Sequence, residues 1–540
     1  MNKVASYLQE HVAGEVVDSA AVRQHFAHDG SVLEVTPSMV VYPTSTNDIR
    51  KVARFTWQLA EKGHVLPLTA RGLGGNQVGS AIGKGIILSL PTHMHHILEL
   101  DIKQRMARVQ PGVNFASFQT AIETHDLSLP AYPPSANLAT IGGAIADNAT
   151  GEKSIKYGSM RRYVDSLEVV LANGELIQTS RISKRELNRR KGVTSFEGEI
   201  YRQIDNLITD NWDLLQQYAA QPGASDLSTG YALSEVKRKD GSFDLTPLFV
   251  GSEGTLGIIS EAILKLEPLA PCPSLITAYF KDLQLTCAAV KELQALQPSM
   301  LELVDKNLLD FVARTNPARL KGLVEAPFPA AVLFIEFDDE HKQDAKTKKA
   351  KKILAKYCES YAQAKDNEER DRLWSIRRYT TELLTADSEG EALPILSSGS
   401  VPCDMLQEFL EAVQLLFTKH HLKPALAGHV GRANLHIQPL LDLSKLGDRQ
   451  KVFKLMDEYC DLVLTLGGDL NGDGGDGRLY APYLPQAFGQ DLYQIFADVQ
   501  HIFDPYGTLN TGVKVGSSKE AIAPMLRKNY SYERAYDFIA

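Results

Sequence analysis

Short apolar runs alternate with stretches of 3.6-residue periodicity along the first half of the chain. Val40-Val41-Tyr42 has the pattern of a buried strand closed by Pro43, and Ser45-Thr46-Asn47-Asp48 supplies helix-capping side chains. Ile49, Val52, Ala53, Thr56, Leu59 and Ala60 then share one helical face, and Gly63 is a stop signal. Val65 to Thr69 and Gly85 to Leu90 predict two further strands, with the glycine-rich run Arg71 to Ala81 between them. Leu167 to Gly174 reads as a strand ending in an Asn-Gly turn, so a hairpin follows. Past the prolines at 268, 271 and 273, strands are predicted over Ser274 to Phe280 and Ala331 to Phe337. Amphipathic helices are predicted over Thr286 to Leu296 and Met405 to Leu416. The basic runs at 181–191 and 346–352 read as solvated faces. This order predicts an α+β chain: a first domain over residues 1–270, a cap over 271–484, and a segment over 485–540 that returns to the first domain.

Composition narrows the class. With 540 residues, 44% hydrophobic and 23% charged, the chain can bury sizeable cores, which excludes a disordered or collagen-like protein. A net charge of -9 leaves no basic excess for general nucleic-acid binding. No apolar run approaches the ~18–20 residues of a membrane span, and the first residues lack the apolar stretch of a signal peptide. The five cysteines (272, 287, 358, 403, 460) show no CxxC spacing, which argues against a structural zinc site, an iron–sulfur cluster or a disulfide framework. A reducing cytoplasm is the expected compartment.

The candidate chemistry lies in glycine-rich segments. The first is Arg71-Gly72-Leu73-Gly74-Gly75-Asn76, continuing to Gly79. The second runs from Pro133 to Gly158 and holds Pro134, Ser135, Thr140-Ile141-Gly142-Gly143, Asn148 and Gly151. The third, Phe249 to Glu261, holds Gly254, Thr255, Gly257, Ile258 and Ile259. Glycines after a strand let backbone N–H groups close around an anion, because they tolerate positive φ and carry no Cβ. One such loop is equally well a flexible turn; three in one domain point to a large anionic cofactor. In order and spacing these loops, with VVYPTSTNDI, VQPGVNFASF and YVDSLEVVLANG, resemble the FAD domain of the vanillyl-alcohol oxidase / p-cresol methylhydroxylase superfamily. The resemblance implies a two-subdomain PCMH-type FAD-binding domain under an α+β cap, with the three loops around the FAD. The first loop has no histidine, so the FAD is expected to be noncovalent.

In the cap, GHVGRANLHI (428–437), GGDLNGDGGDG (467–477) and LWSIR (373–377) resemble motifs of the FAD-linked D-2-hydroxy-acid dehydrogenases. So does FDPYGTLNTG (503–512), which carries Asn510. The resemblance implies a divalent metal, zinc or manganese, on His429, His436 and Asp473, carboxylate binding by Arg377, and Arg478 nearby. It also implies a D-2-hydroxy acid such as D-lactate as substrate, a quinone, protein or oxygen as electron acceptor, and a peripheral membrane contact. The pattern breaks at three places. Gly474 stands where the family has its catalytic histidine, and Arg432 and Ala433 replace an Asp-Gly pair. Asp476, Tyr480 or one of the two histidines is then left to act as base. A second class of function follows from the same break: an FAD-binding subunit or regulatory protein that has lost catalysis and acts through a partner.

Overall fold

The computed structural model describes residues 3–220, 229–270, 272–382, 391–396 and 399–530. The expected first helix forms over Thr46–Glu61. Ser45 caps it by accepting from the Asp48 backbone N–H, and Gly63 follows its end with φ of +81°. Its Ile49, Val52, Ala53 and Thr56 are buried against a sheet in which Met39–Tyr42, Ile86–Ser89 and Leu68–Arg71 run parallel in that order. Glu15–Val17 adds antiparallel on the outside. The strand expected from Val65 starts only at Leu68, because Pro67 has no N–H to give to a ladder; Val65 is exposed.

A second, antiparallel sheet has the order Ile97–Asp101, Met106–Val109, Ile258–Lys265, Val164–Val170, Leu176–Thr179. The last two are the hairpin expected at the Asn-Gly turn, where Gly174 has φ of +81°. A third, six-stranded antiparallel sheet runs Ser360–Gln363, Ser274–Phe280, Ala331–Phe337, Met300–Asp305, Ala425–His429, Asn434–Gln438. Its strand Ala331–Phe337 is buried at every position, the apolar run Ala331 to Ile335 and Phe337 together with Glu336. The helix expected from Thr286 starts earlier, at Leu283, because Asp282 caps it through the Leu285 N–H at 2.7 Å. The basic runs form the exposed faces of helices Lys184–Lys191 and Gln343–Tyr357.

The chain end comes back to the first sheet. Leu68 N–H donates to Thr508 at 2.7 Å and Asn510 N–H donates to Leu68 at 2.9 Å. Further on, Arg527 Nε donates to the Leu33 carbonyl at 3.0 Å.

Candidate active site between the glycine loops and a His–His–Asp cluster

A cleft runs between the first two sheets. Its walls are the run 71–76, Ser135, Thr140, Gly142, Gly143, Gly254, Gly257 and Ile259, all expected cofactor-binding residues. Ser80, Leu90, Pro111, Asp147, Ser252 and Glu253 also line it and were not singled out from the sequence. The glycines are required by close approach. A Cβ on Gly72 would lie 2.5 Å from Thr140 Oγ1, one on Gly75 2.8 Å from the Leu138 carbonyl, and one on Gly142 2.6 Å from Pro111 Cβ. The loops therefore close too tightly on their neighbours for a side chain at these positions, which suits a glycine-lined seat for an extended anionic ligand such as FAD. Arg71 braces this loop from behind. Its buried guanidinium stacks 5.0 Å from the Phe26 ring and donates to the His28 carbonyl at 2.7 Å. Burial pushes its pKa down to about 10.

The other expected cofactor residues support the walls. Ile141 and Ile258 are core side chains, and Gly79, Pro134, Gly151 and Gly158 shape adjacent turns outside the cleft lining. Asn148, at φ of +49°, accepts from the Arg161 N–H at 3.0 Å. Thr255 bonds Tyr231 Oη at 2.7 Å. Asn510 ties the first and third loops together by donating to the Ser80 and Glu253 carbonyls at 2.8 and 2.7 Å.

His429 and His436 sit on the hairpin at the edge of the third sheet, where the register pairs His436 with Ala427 and His429 with Asn434. The turn places Ala433 at φ of +48°, a left-handed position that explains the glycine of the resembled motif. Asp473 enters from the loop 467–477. Thr150, beside the glycine cleft, donates to its Oδ1 at 2.8 Å, and its Oδ2 lies 3.5 Å from Nε2 of each histidine. Three ligand atoms thus lie within 4.8 Å of one another. Bonds of ~2.0–2.1 Å to a tetrahedral ion place ligand atoms ~3.4 Å apart, so the donor set fits a divalent metal. Both Nε2 atoms are buried and make no hydrogen bond.

Glu302, which the sequence reading passed over, organises this cluster. It is fully buried, faces His429 Nδ1 at 2.7 Å through Oε1, and accepts from Arg377 Nε at 3.0 Å through Oε2. The carboxylate that Arg377 meets is therefore Glu302's own. An acid flanked by Leu301 and Leu303 inside the strand Met300–Asp305 was the available signal. Burial alone lowers an imidazole pKa, but at His429 the Glu302 and Asp473 carboxylates outweigh it and hold the ring up to about 10. At His436 burial wins and pulls the pKa down to about 4. Burial raises Asp473, yet His429 beside it, and then His436, hold it at about 2. Glu152, also buried, has an Oε2 with no hydrogen-bond partner; burial and then Glu302 push its pKa up.

The remaining residues are engaged elsewhere. Arg478 donates to the Ile82 carbonyl at 2.8 Å and to that of Thr511, which joins the loop to the first sheet. Asp476 accepts from Lys514 at 2.7 Å and from the Gly230 N–H at 2.9 Å, and Tyr480 Oη donates to the Ile395 carbonyl at 3.1 Å. Gly474 has φ of +83°, and a Cβ there would meet nothing within 4 Å. Among the described residues, no helix is long and apolar enough to cross a membrane.

Comparison with known proteins agrees with this layout. Residues 37–180 match the family described as FAD binding domain, and residues 274–513 match the family described as FAD linked oxidases, C-terminal domain. The chain is 27% identical to a D-2-hydroxyglutarate dehydrogenase of Pantoea ananatis (97% of this chain, 52% of that one). It thus spans about half the length of that relative. It is 28% identical to the glycolate oxidase subunit GlcD of Bacillus subtilis (92% and 93%) and 26% identical to a D-lactate dehydrogenase of Anaerostipes hadrus (91% and 92%). Among solved structures, p-cresol methylhydroxylase with substrate bound superposes with a TM-score of 0.70 at 15% identity, covering 96% of this chain and 97% of that one. Loops, cleft and both matched domains lead to one conclusion: the chain is an FAD-linked oxidoreductase by family, an FAD binding domain followed by the C-terminal domain of the FAD linked oxidases, and its fold is of the PCMH type.

Proposed function

We propose that the chain oxidises the CH–OH group of a D-2-hydroxy acid such as D-lactate, passing electrons on to a quinone, a protein or oxygen. One observation carries this reading: two buried imidazole nitrogens without hydrogen bonds converge on a carboxylate at separations suited to one divalent ion. FAD in the cleft supplies the hydride acceptor. His429, His436 and Asp473 would hold the ion, which by donor type is zinc or manganese and supplies a Lewis acid for the oxygens of the acid. Glu302 fixes His429 with its Nδ1–H toward the carboxylate and leaves Nε2 for the ion. Thr150 orients Asp473. Arg377 and Arg478 serve as positioning residues, the first by holding Glu302 and the second by holding the loop that carries Asp473.

The test is anaerobic mixing of FAD- and zinc- or manganese-loaded protein with a panel of D- and L-2-hydroxy acids, with flavin absorbance as readout. Bleaching by D acids, abolished in Asp473→Ala, supports the reading. A second reading, an FAD-binding subunit without hydroxy-acid chemistry, is favoured by the empty space at Gly474, where the family has its base. A flavin that stays oxidised with every acid while FAD and metal are bound would select it.

A further inference from the structure

Asp147 is an acid in three adverse settings at once. It ends the short helix Ile141–Ala146, where the backbone carbonyls already place negative charge. It lines the cleft that the phosphates and flavin of FAD would occupy. Around it stand Asn76 from the first glycine loop, Glu253 from the third, Lys514 from the returning segment and Asp473 from the metal-type cluster. Its polar contacts to a neighbouring side chain are two long ones, from Asn76 Nδ2 at 3.3 and 3.4 Å. Lys514 does not neutralise it directly: that ammonium lies 2.7 Å from Asp476 and 3.4 Å from Glu253. Burial, with the Glu253 carboxylate beside it, pushes Asp147 up to about 8. Half-buried, the residue has its open face on the cleft.

We propose that Asp147 is the residue that tunes the bound flavin: its carboxyl hydrogen-bonds the flavin and sets how readily FAD accepts two electrons. Two-electron reduction places negative charge on the ring. A neutral carboxyl that donates a hydrogen bond stabilises that charge, and an ionised one opposes it. The reduction potential of wild type should therefore fall with pH more steeply than that of Asp147→Asn, which keeps a donor and cannot ionise.

The inference needs FAD in the cleft but no hydroxy acid, so its test is independent of the proposed substrate. Xanthine and xanthine oxidase supply two electrons per FAD and the buffer supplies the protons, one to the ring and, in wild type where Asp147 is ionised, a second to its carboxylate; the potential is read against a reference dye from pH 6 to 9. The redox equilibrium constants of wild type and Asp147→Asn should agree within about twofold at pH 6. At pH 9 the variant should favour the reduced form by about tenfold, which is ~30 mV for a two-electron couple. Curves that stay within twofold across the range would overturn the proposal. Asp147→Ser provides a second uncharged variant if Asp147→Asn fails to load FAD. Loss of FAD from both would also overturn it, since the carboxyl would then hold the cofactor rather than tune it.

Discussion

Glutamine at position 302 is the substitution that most directly interrogates the cluster. Glu302 and Arg377 are both 0% exposed, and two guanidinium nitrogens lie 3.0 Å from Glu302 Oε2. At ~3 Å and an effective dielectric of ~20 the attraction is ~5–6 kcal/mol before desolvation. Removing one partner of a buried ion pair typically costs ~3–5 kcal/mol. Glu302→Gln should therefore lose about 3 kcal/mol or more in urea unfolding followed by circular dichroism. A second effect is chemical. The amide has one accepting oxygen for two donors, Arg377 and His429 Nδ1, so the ring loses the partner that aims Nε2 at the ion. Loss of such a partner typically weakens metal binding ~10–100-fold, readable by calorimetric titration of zinc. Adding Arg377→Met should restore part of the stability, because the charge that Glu302 balances is removed with it, without restoring zinc affinity. A Glu302→Gln protein within about 1 kcal/mol of wild type and with unchanged zinc affinity would refute both arguments.

Three further outcomes are expected. Gly474→His has open space for its side chain but a left-handed backbone that costs ~1–2 kcal/mol. A working base is worth ~100- to 10,000-fold, so flavin reduction by D-2-hydroxy acids should rise at least about 100-fold in stopped flow; slower reduction than wild type would remove the missing-base account. Asp48 accepts from the Ala13, Gly14 and Thr44 N–H groups and from Thr44 Oγ1, and these bonds outweigh burial to hold its pKa below the usual value. Its folded pKa is depressed, so the stability it contributes is present above its unfolded pKa of ~3.9 and is lost as pH falls through the folded value. Asp48→Asn should cost ~2 kcal/mol at pH 7, with the difference from wild type closing below about pH 4; a gap that persists at pH 2 would contradict this. Denaturing the holoprotein should release yellow FAD into the supernatant, since no histidine stands in the first loop; colour retained by the precipitate would show a covalent link.

Local chemistry made much of this legible in advance. Strand-then-glycine punctuation marked the three loops, helical spacing marked the helix Thr46–Glu61, and a turn between two histidines marked the hairpin that carries them. Pairings across the sheet were not legible. Glu302 lies 127 positions from His429 and 75 from Arg377; the antiparallel order of the third sheet sets the first pair side by side, and the helix Asn367–Glu382 delivers Arg377 to them. Nor could spacing distinguish Gly75, which walls the cleft, from Gly79, which does not, because that depends on which loop packs opposite. Asp476 and Tyr480 looked available as bases until their partners Lys514 and Ile395 were in view.

The loop that carries Asp473 has a mechanical consequence. From Asp469 to Arg478 it is tied to Thr229, Thr150, Glu253, Val78 and Ile82, with Ser400 holding Asp469 from the other side, whereas both histidines belong to the third sheet. The carboxylate and the imidazoles therefore report the position of one sheet system relative to another. An ion held by all three acts as a rivet across that seam. By reciprocity, every tenfold of affinity gained from correct docking is ~1.4 kcal/mol returned to the docking itself. If the ion is bound, stripping it with a chelator should loosen the seam first, so that protease sensitivity of the holoprotein rises before either sheet system unfolds.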